Sequence, residues 1–293
     1  MSFFITKFIE FFLFILGLIP INAVSRLPWW NFFTKRALVN SDVYRTTKIN
    51  LKLAFPELSD EELKLLTKRS VVETLQTFGE IGFAWSWLPK KDLKKYIVEK
   101  GLINAKKSLD KKRGLILFTP HLSNIEVMLN CVTRNFPCMV LYSPSKNKYF
   151  DKVMLEARSK MGAEMVEPNI AGVKAILGKL KQGGVVLIAG DQVPNLEGGL
   201  LTNFFSVPAL TMTLVSKLKL KTGAPCLSVF CVRKPGDLGF EVAYSEEIDG
   251  MDLDMQSSVD RMNVELEKCI MIAPEQYAWE YKRYKHSGQK NIY

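Results

Sequence analysis

A chain of 293 residues with 47% hydrophobic content is long enough to bury a full core, as one large domain or two small ones. Its 40 Lys and Arg against 30 Asp and Glu leave a net charge of +10, which suits an anionic partner such as a membrane surface, an acidic protein or nucleic acid. The five cysteines form no CxxC pair and the two histidines are far apart, which argues against a disulfide framework and against a zinc site; neither a structural metal nor a cofactor is expected.

From Phe3 to Val24 the chain is almost wholly apolar, interrupted by Lys7, Glu10 and Pro20. The run approaches the length of a bilayer span, so residues 1–25 are read as a membrane-anchoring helix, either crossing the bilayer or lying tilted in one leaflet. Trp29 and Trp30 suit a headgroup boundary, and Lys35 and Arg36 place the cationic excess after the segment. By the positive-inside rule the body of the protein is then cytoplasmic. A cleaved signal peptide is the competing reading, which Glu10 and Ile21 suit poorly.

Residues 26–293 read as one further domain, helical over 26–95 and α/β over 96–293. Within Ser41 to Trp87, a capping box at Ser59-Asp60-Glu61-Glu62 precedes Leu63, Leu66, Val71, Leu75 and Phe78 at helical spacing. A basic stretch from Lys90 to Arg113 follows, relieved only by Asp92, Glu99 and Asp110. It is either a solvated face or a docking surface for an acidic carrier or an anionic lipid.

Strand-like runs then alternate with helical ones: Leu115 to Phe118, a helix from about Ser123, Met139 to Tyr142, a helix through Arg158, a helix near Val173 to Leu180, and Val185 to Ala189. Cys226 to Val232 and Phe240 to Ala243 are also strand-like. Crossover helices of this length imply an α/β fold with a largely parallel central sheet and helices on both faces. In such sheets ligands gather at the carboxyl ends of the strands.

The run Leu115 to Glu126 ends a strand and opens a helix, which puts His121 in that crevice and Glu126 in the first helical turn. If the turn folds back, the carboxylate fixes the imidazole tautomer and stabilises the imidazolium formed when the other nitrogen takes a proton from an alcohol or amine. The same residues also read as a capping box from Ser123 to Glu126, in which Glu126 satisfies a backbone amide and His121 is a turn residue.

His121-Leu122-Ser123-Asn124-Ile125-Glu126 has the HxxxxE spacing of the glycerolipid and lipid A acyltransferases. Around it, Arg45 to Leu58, Gly190-Asp191-Gln192, Asn203-Phe204-Phe205, Thr211 to Thr213, Arg233 and the run Lys268 to Lys285 fall in family order. Over nearly its whole length the chain resembles the late (lauroyl and myristoyl) acyltransferases of lipid A biosynthesis in Gram-negative inner membranes. The resemblance implies transfer of a fatty acyl chain from an acyl carrier protein thioester, with acyl-CoA as the other candidate donor, to a hydroxyl of a glycolipid acceptor. It places the enzyme on the cytoplasmic face of the inner membrane, with His121 and Glu126 catalytic.

Arg158 resembles an arginine that follows this helix in the family, and a cation capping the helix dipole is the alternative. Asp191 and Gln192 are expected to position the acceptor or His121, and Arg233 to meet an anionic headgroup. Amides at the start of the Ser123 helix, with a nearby arginine, would stabilise the oxyanion, and an apolar tunnel would lead away from His121. Trp279, Lys282 and Arg283 would form an interfacial element. Two departures stand out: Tyr142-Ser143-Pro144 replaces the usual Tyr-Arg-Pro, and Phe204-Phe205-Ser206 the usual Phe-Phe-Gly. Lys146 or Lys148 could supply the lost charge, though as a point charge rather than a bidentate fork. A lysophospholipid or ornithine lipid is the rival acceptor, and a non-catalytic membrane-surface module the rival class. No nucleic-acid-binding motif is present.

Overall fold

The computed structural model describes residues 2–19, 41–234, 239–288 and 292–293; the headgroup candidates Trp29, Trp30, Lys35 and Arg36 lie outside them. Three helices come first: α1 (Ser2–Gly17), α2 (Asp42–Ala54) and α3 (Asp60–Ser86). The Ser59 hydroxyl accepts the Glu62 N–H and the Glu62 carboxylate accepts the Ser59 N–H, so α3 starts at the capping box the sequence indicates.

The α/β part runs β1 (Ile97–Lys100), α4 (Leu102–Leu109), β2 (Leu115–Thr119), α5 (Ile125–Asn135), β3 (Cys138–Leu141), α6 (Lys148–Lys160), β4 (Ala163–Val166), α7 (Ile170–Lys181) and β5 (Val185–Ala189). A hairpin of β6 (Gly199–Phe204) and β7 (Val207–Met212) follows, then α8 (Leu214–Thr222), β8 (Cys226–Arg233), β9 (Phe240–Tyr244) and α9 (Met255–Met271). The seven-stranded sheet has the order β1-β9-β8-β2-β5-β3-β4. Every neighbouring pair is parallel except β8 and β9, so the expected largely parallel α/β sheet is present, with β1 and β9 running against the rest.

Period-two alternation divides the strands between two cores. Leu115 and Leu117 of β2 face the layer holding Trp85, Val127 and Met154, whereas Ile116 and Phe118 face the layer holding Ile176, Val215 and Leu266. All of β2 is buried, which is why it reads in sequence as an unbroken apolar run.

The N-terminus departs from the bilayer-crossing form of the anchor reading, whose last residues, 20–25, lie outside the described ones. α1 has 16 residues, about 24 Å at the α-helical rise, against a hydrocarbon core of about 30 Å, and no described helix is long and apolar enough to cross a membrane. One side of α1 packs on the protein: Gly17 and Gly82 of α3 approach so closely that a Cβ on Gly82 would lie 2.3 Å from the Leu13 carbonyl oxygen. The other side leaves Phe4, Phe8, Phe11 and Phe12 more than half exposed.

The basic stretch is split between the two ends of the sheet. Lys106 and Lys107 on α4, with Lys111, Lys112 and Arg113, lie at the amino end of β2, opposite the end that carries His121. Lys94 and Lys95 precede β1 on the outer edge. No single face gathers them.

Candidate active site

β2 and β5 lie side by side in register, Thr119 opposite Ala189, and the Gly190 N–H donates to the Thr119 carbonyl at 3.0 Å. Two residues beyond each strand end stand His121 and Asp191, so parallel pairing alone brings them together. The His121 backbone N–H donates to Asp191 Oδ2 at 2.8 Å, and His121 Nδ1 lies 2.8 Å from Asp191 Oδ1. Burial pushes the Asp191 carboxyl upward, but the His121 charge and both hydrogen bonds outweigh it and hold the group below the usual carboxylate range. An ionised carboxylate only accepts, so Nδ1 carries the proton and Nε2 presents its lone pair to the Gln192 amide nitrogen at 3.3 Å. Burial likewise depresses His121, yet the Asp191 charge and hydrogen bond raise it above the ordinary histidine value.

Glu126 does not meet His121 in the way the motif suggests. Its carboxylate faces Arg158 across a bidentate contact, Nε to Oε2 at 3.1 Å and Nη2 to Oε1 at 2.6 Å. Burial pushes Glu126 up, but the Arg158 charge and hydrogen bonds, with help from the adjoining Trp85 indole, keep it below the usual range. Glu126 does not close a capping box either. Asn124 is the N-cap of α5, its Oδ1 accepting the N–H groups of Glu126 and Val127 at 3.1 and 3.2 Å. Ser123 sits one position earlier, at a φ of 53°. These amides are therefore engaged, and the Ser123 N–H donates to the Gln276 carbonyl at 2.8 Å. The Arg158 guanidinium lines the cavity beside His121, as does Ile125 at the helix start.

That cavity holds ≈ 530 Å³ at the carboxyl ends of β2, β3 and β5, within the range of small-ligand sites. Its walls are mostly apolar, with Ile125, Leu129, Val140, Met154, Val173 and Leu187 among them, and its polar groups include His121, Arg158 and Gln192. Lys217 also lines it while remaining exposed, and sequence reasoning missed it. The alternatives Lys146 and Lys148 are exposed but do not line the cavity, although Ser143 does.

Arg233 is not available to a headgroup. Its guanidinium is held by both oxygens of Glu80, at 2.8 and 2.7 Å, by Glu73 and by Thr77 Oγ1 at 3.3 Å. Glu80 also accepts from Asn124 Nδ2 at 3.1 Å, so Arg233 braces the histidine turn from behind. The proposed interfacial element is likewise internal. Trp279 and Arg283 are 1% and 2% exposed, with Arg283 donating to the Leu210 carbonyl at 2.6 Å and to Thr211 Oγ1 at 2.7 Å. Of the three only Lys282 is exposed.

Residues 276–279 clamp the histidine turn. Leu122 and Tyr277 form an antiparallel bridge, and the Ala278 N–H donates to the His121 carbonyl at 3.0 Å. Asn50, within the Arg45–Leu58 segment, holds this run through the carbonyls of Trp279 and Tyr281, both at 2.7 Å. Glu280 is a third carboxylate near His121, with its pKa raised by burial and its Oε2 accepting from Thr74 Oγ1 at 3.1 Å. Sequence reasoning singled out neither Asn50 nor Glu280, although both lie inside the runs Arg45 to Leu58 and Lys268 to Lys285 that resemble the family.

Fold and site together define an α/β enzyme in which a carboxylate-oriented histidine faces an apolar cavity. Residues 1–286 match the family described as bacterial lipid A biosynthesis acyltransferase, and the chain belongs to that family of O-acyltransferases. It is 30% identical over 254 residues to the lipid A biosynthesis palmitoleoyltransferase of Escherichia coli K12, covering 83% of this chain and 80% of that protein. With the lauroyltransferase of the same organism the identity is 27% over 246 residues, covering 80% and 77%. A lipid A biosynthesis acyltransferase of Haemophilus influenzae is 24% identical over 239 residues, covering 80% and 75%.

Proposed function

We propose that the protein transfers a fatty acyl chain from a thioester donor, an acyl carrier protein or acyl-CoA, to a hydroxyl of a lipid A precursor. The observation that carries this reading is the His121 imidazole, oriented by Asp191, at the wall of an apolar cavity. His121 Nε2 takes the proton of the acceptor hydroxyl as its oxygen attacks the thioester carbonyl. The tetrahedral oxyanion is stabilised by Arg158, whose Nη1 is left over from the two contacts to Glu126. As the intermediate collapses the C–S bond breaks, and His121 returns its proton to the leaving thiolate. Glu126 positions Arg158, Gln192 positions the imidazole or the acceptor, and the acyl chain lies in the cavity. Lys217 meets the phosphate that both donor types carry on their arm. Arg233 acts by bracing.

The acceptor is a membrane lipid, and α1 lies in the plane of the cytoplasmic leaflet of the inner membrane with its exposed phenylalanines inserted. The names of the relatives, palmitoleoyl and lauroyl transferases of lipid A biosynthesis, support the acceptor class. Mass spectrometry of lipids from a deletion strain tests it: lipid A should lack one acyl chain and regain it with the wild-type gene. Unchanged lipid A alongside a deacylated phospholipid or ornithine lipid would move the acceptor to that class.

A further inference from the structure

A second groove, of ≈ 830 Å³, lies on the far side of α6 from the catalytic cavity. Met154 and Arg158 of α6 line the cavity, whereas Val153, Glu156, Ala157 and Lys160 of the same helix line the groove. α1 and the end of α3 form its other walls through Phe11, Leu13, Phe14 and Trp85. Phe11 is also 63% exposed, so the groove continues the exposed phenylalanine face of α1. At the rim, Lys7 and Glu10 pair at 2.7 Å. Lys90 and Lys160 are exposed and make no ion pair among the described residues.

We propose that this groove binds one anionic phospholipid of the surrounding leaflet, an acyl chain between α1 and α6 and the phosphate between Lys90 and Lys160. A water-soluble anion would gain nothing from the aromatic walls, and a neutral lipid would not use the excess of Lys7, Lys90 and Lys160 over the groove's two carboxylates, Glu10 and Glu156. The bound lipid would tie α1 to the body of the protein. Trp85 lines the groove and adjoins Glu126, and α6 carries Arg158, so an occupied groove supports that buried pair from behind. The site does not depend on the acyl-transfer reading, because its test measures lipid binding alone.

The test is native mass spectrometry of the full chain, delipidated in detergent and then offered phosphatidylglycerol or phosphatidylcholine with the same acyl chains. One phosphatidylglycerol per chain should be retained in preference to phosphatidylcholine. Lys90→Gln with Lys160→Gln should weaken that retention by about fivefold for each lysine, the effect of one cation beside an anionic lipid surface. Both positions are exposed, so the double variant should keep its fold, checked by its circular dichroism and melting temperature. Ala157→Trp, which fills the groove, should exclude both lipids. Equal retention of the two lipids by the wild type, or unchanged retention by the lysine variant, would overturn the proposal. Displacement by millimolar inorganic phosphate would reduce the site to an anion site and overturn it too.

Discussion

Two buried pairs of opposite charge stand side by side at the carboxyl end of the sheet, and they are built for different tasks. His121 with Asp191 joins a group that titrates to one that stays ionised, and its imidazole is 29% exposed toward the cavity. Glu126 with Arg158 joins a carboxylate held below its usual range to a guanidinium, at 8% and 14% exposure, with both carboxylate oxygens engaged. The geometry suits the first pair to moving a proton and the second to holding charge in place. An HxxxxE motif read as a single dyad puts His121 and Glu126 in one contact, whereas the structure pairs each with another residue.

The largest effect expected from breaking the first pair is loss of turnover with the fold intact. His121→Ala should abolish transfer, and Asp191→Asn should lower kcat by about 10²–10⁴, the range for lost general-base function. Circular dichroism should keep the wild-type signature in both, while the melting temperature falls because the buried partner loses its counter-charge. Should Asp191→Asn keep its rate, the histidine is oriented by something else.

Breaking the second pair should damage stability as well as rate. Glu126→Gln leaves the Arg158 charge buried without its partner, and one-sided loss of a buried pair costs about 3–5 kcal/mol. Chemical denaturation of the purified variant measures this. An unchanged midpoint with a lost rate would return Glu126 to direct catalysis.

The pH profile sharpens the contrast. A general base must be neutral, and Asp191 raises the His121 pKa, so the acid limb of kcat/KM should lie above the ordinary histidine value of about 6.5. Transfer is lost as pH falls through that raised value. In Asp191→Asn the residual activity should show its acid limb at lower pH, whereas Arg158→Lys should not move it down. An acid limb that stays in place in Asp191→Asn would remove Asp191 from the titration.

The smallest effect concerns a departure from the family pattern. Phe205 and Ser206 form the two-residue turn between β6 and β7 at φ of 49° and 61°, the left-handed region that glycine adopts without cost. Ser206→Gly should stabilise the protein by about 1 kcal/mol and leave kcat unchanged, read as a rise in melting temperature.

The central strands were legible because β2, β5 and β8 are buried on both faces and therefore apolar throughout. The edge strands β1 and β4 were not. Only the first residue of each is buried, and charged side chains such as Glu99, Lys100 and Glu164 break the apolar run. His121, Arg158 and Gln192 were found at the cavity, and Asp191 was expected to position either the acceptor or His121, because each follows or faces a strand end. The pairing itself was misread: a carboxylate five residues away in sequence looked nearer than one across the sheet. Parallel register brings residues 70 positions apart within 2.8 Å, and no local pattern encodes that. Arg233 and Trp279 misled for a related reason. A charged residue and a tryptophan suggest a surface, but the Arg233 guanidinium is taken up by Glu73 and Glu80, and the Trp279 ring packs on Phe55 and Phe205, all far away in the chain.

The clamp on the histidine turn sets an order of events during synthesis. Every strand of the sheet is translated by Tyr244, yet the contacts that fix His121 and Ser123 come from Gln276, Tyr277 and Ala278, well downstream. A chain ending after β9 would carry every strand, the cavity-lining residues, His121 and Asp191, but not the segment that clamps the turn between β2 and α5. The backbone that carries the base is thus completed by a segment more than 30 residues beyond the last strand of the sheet.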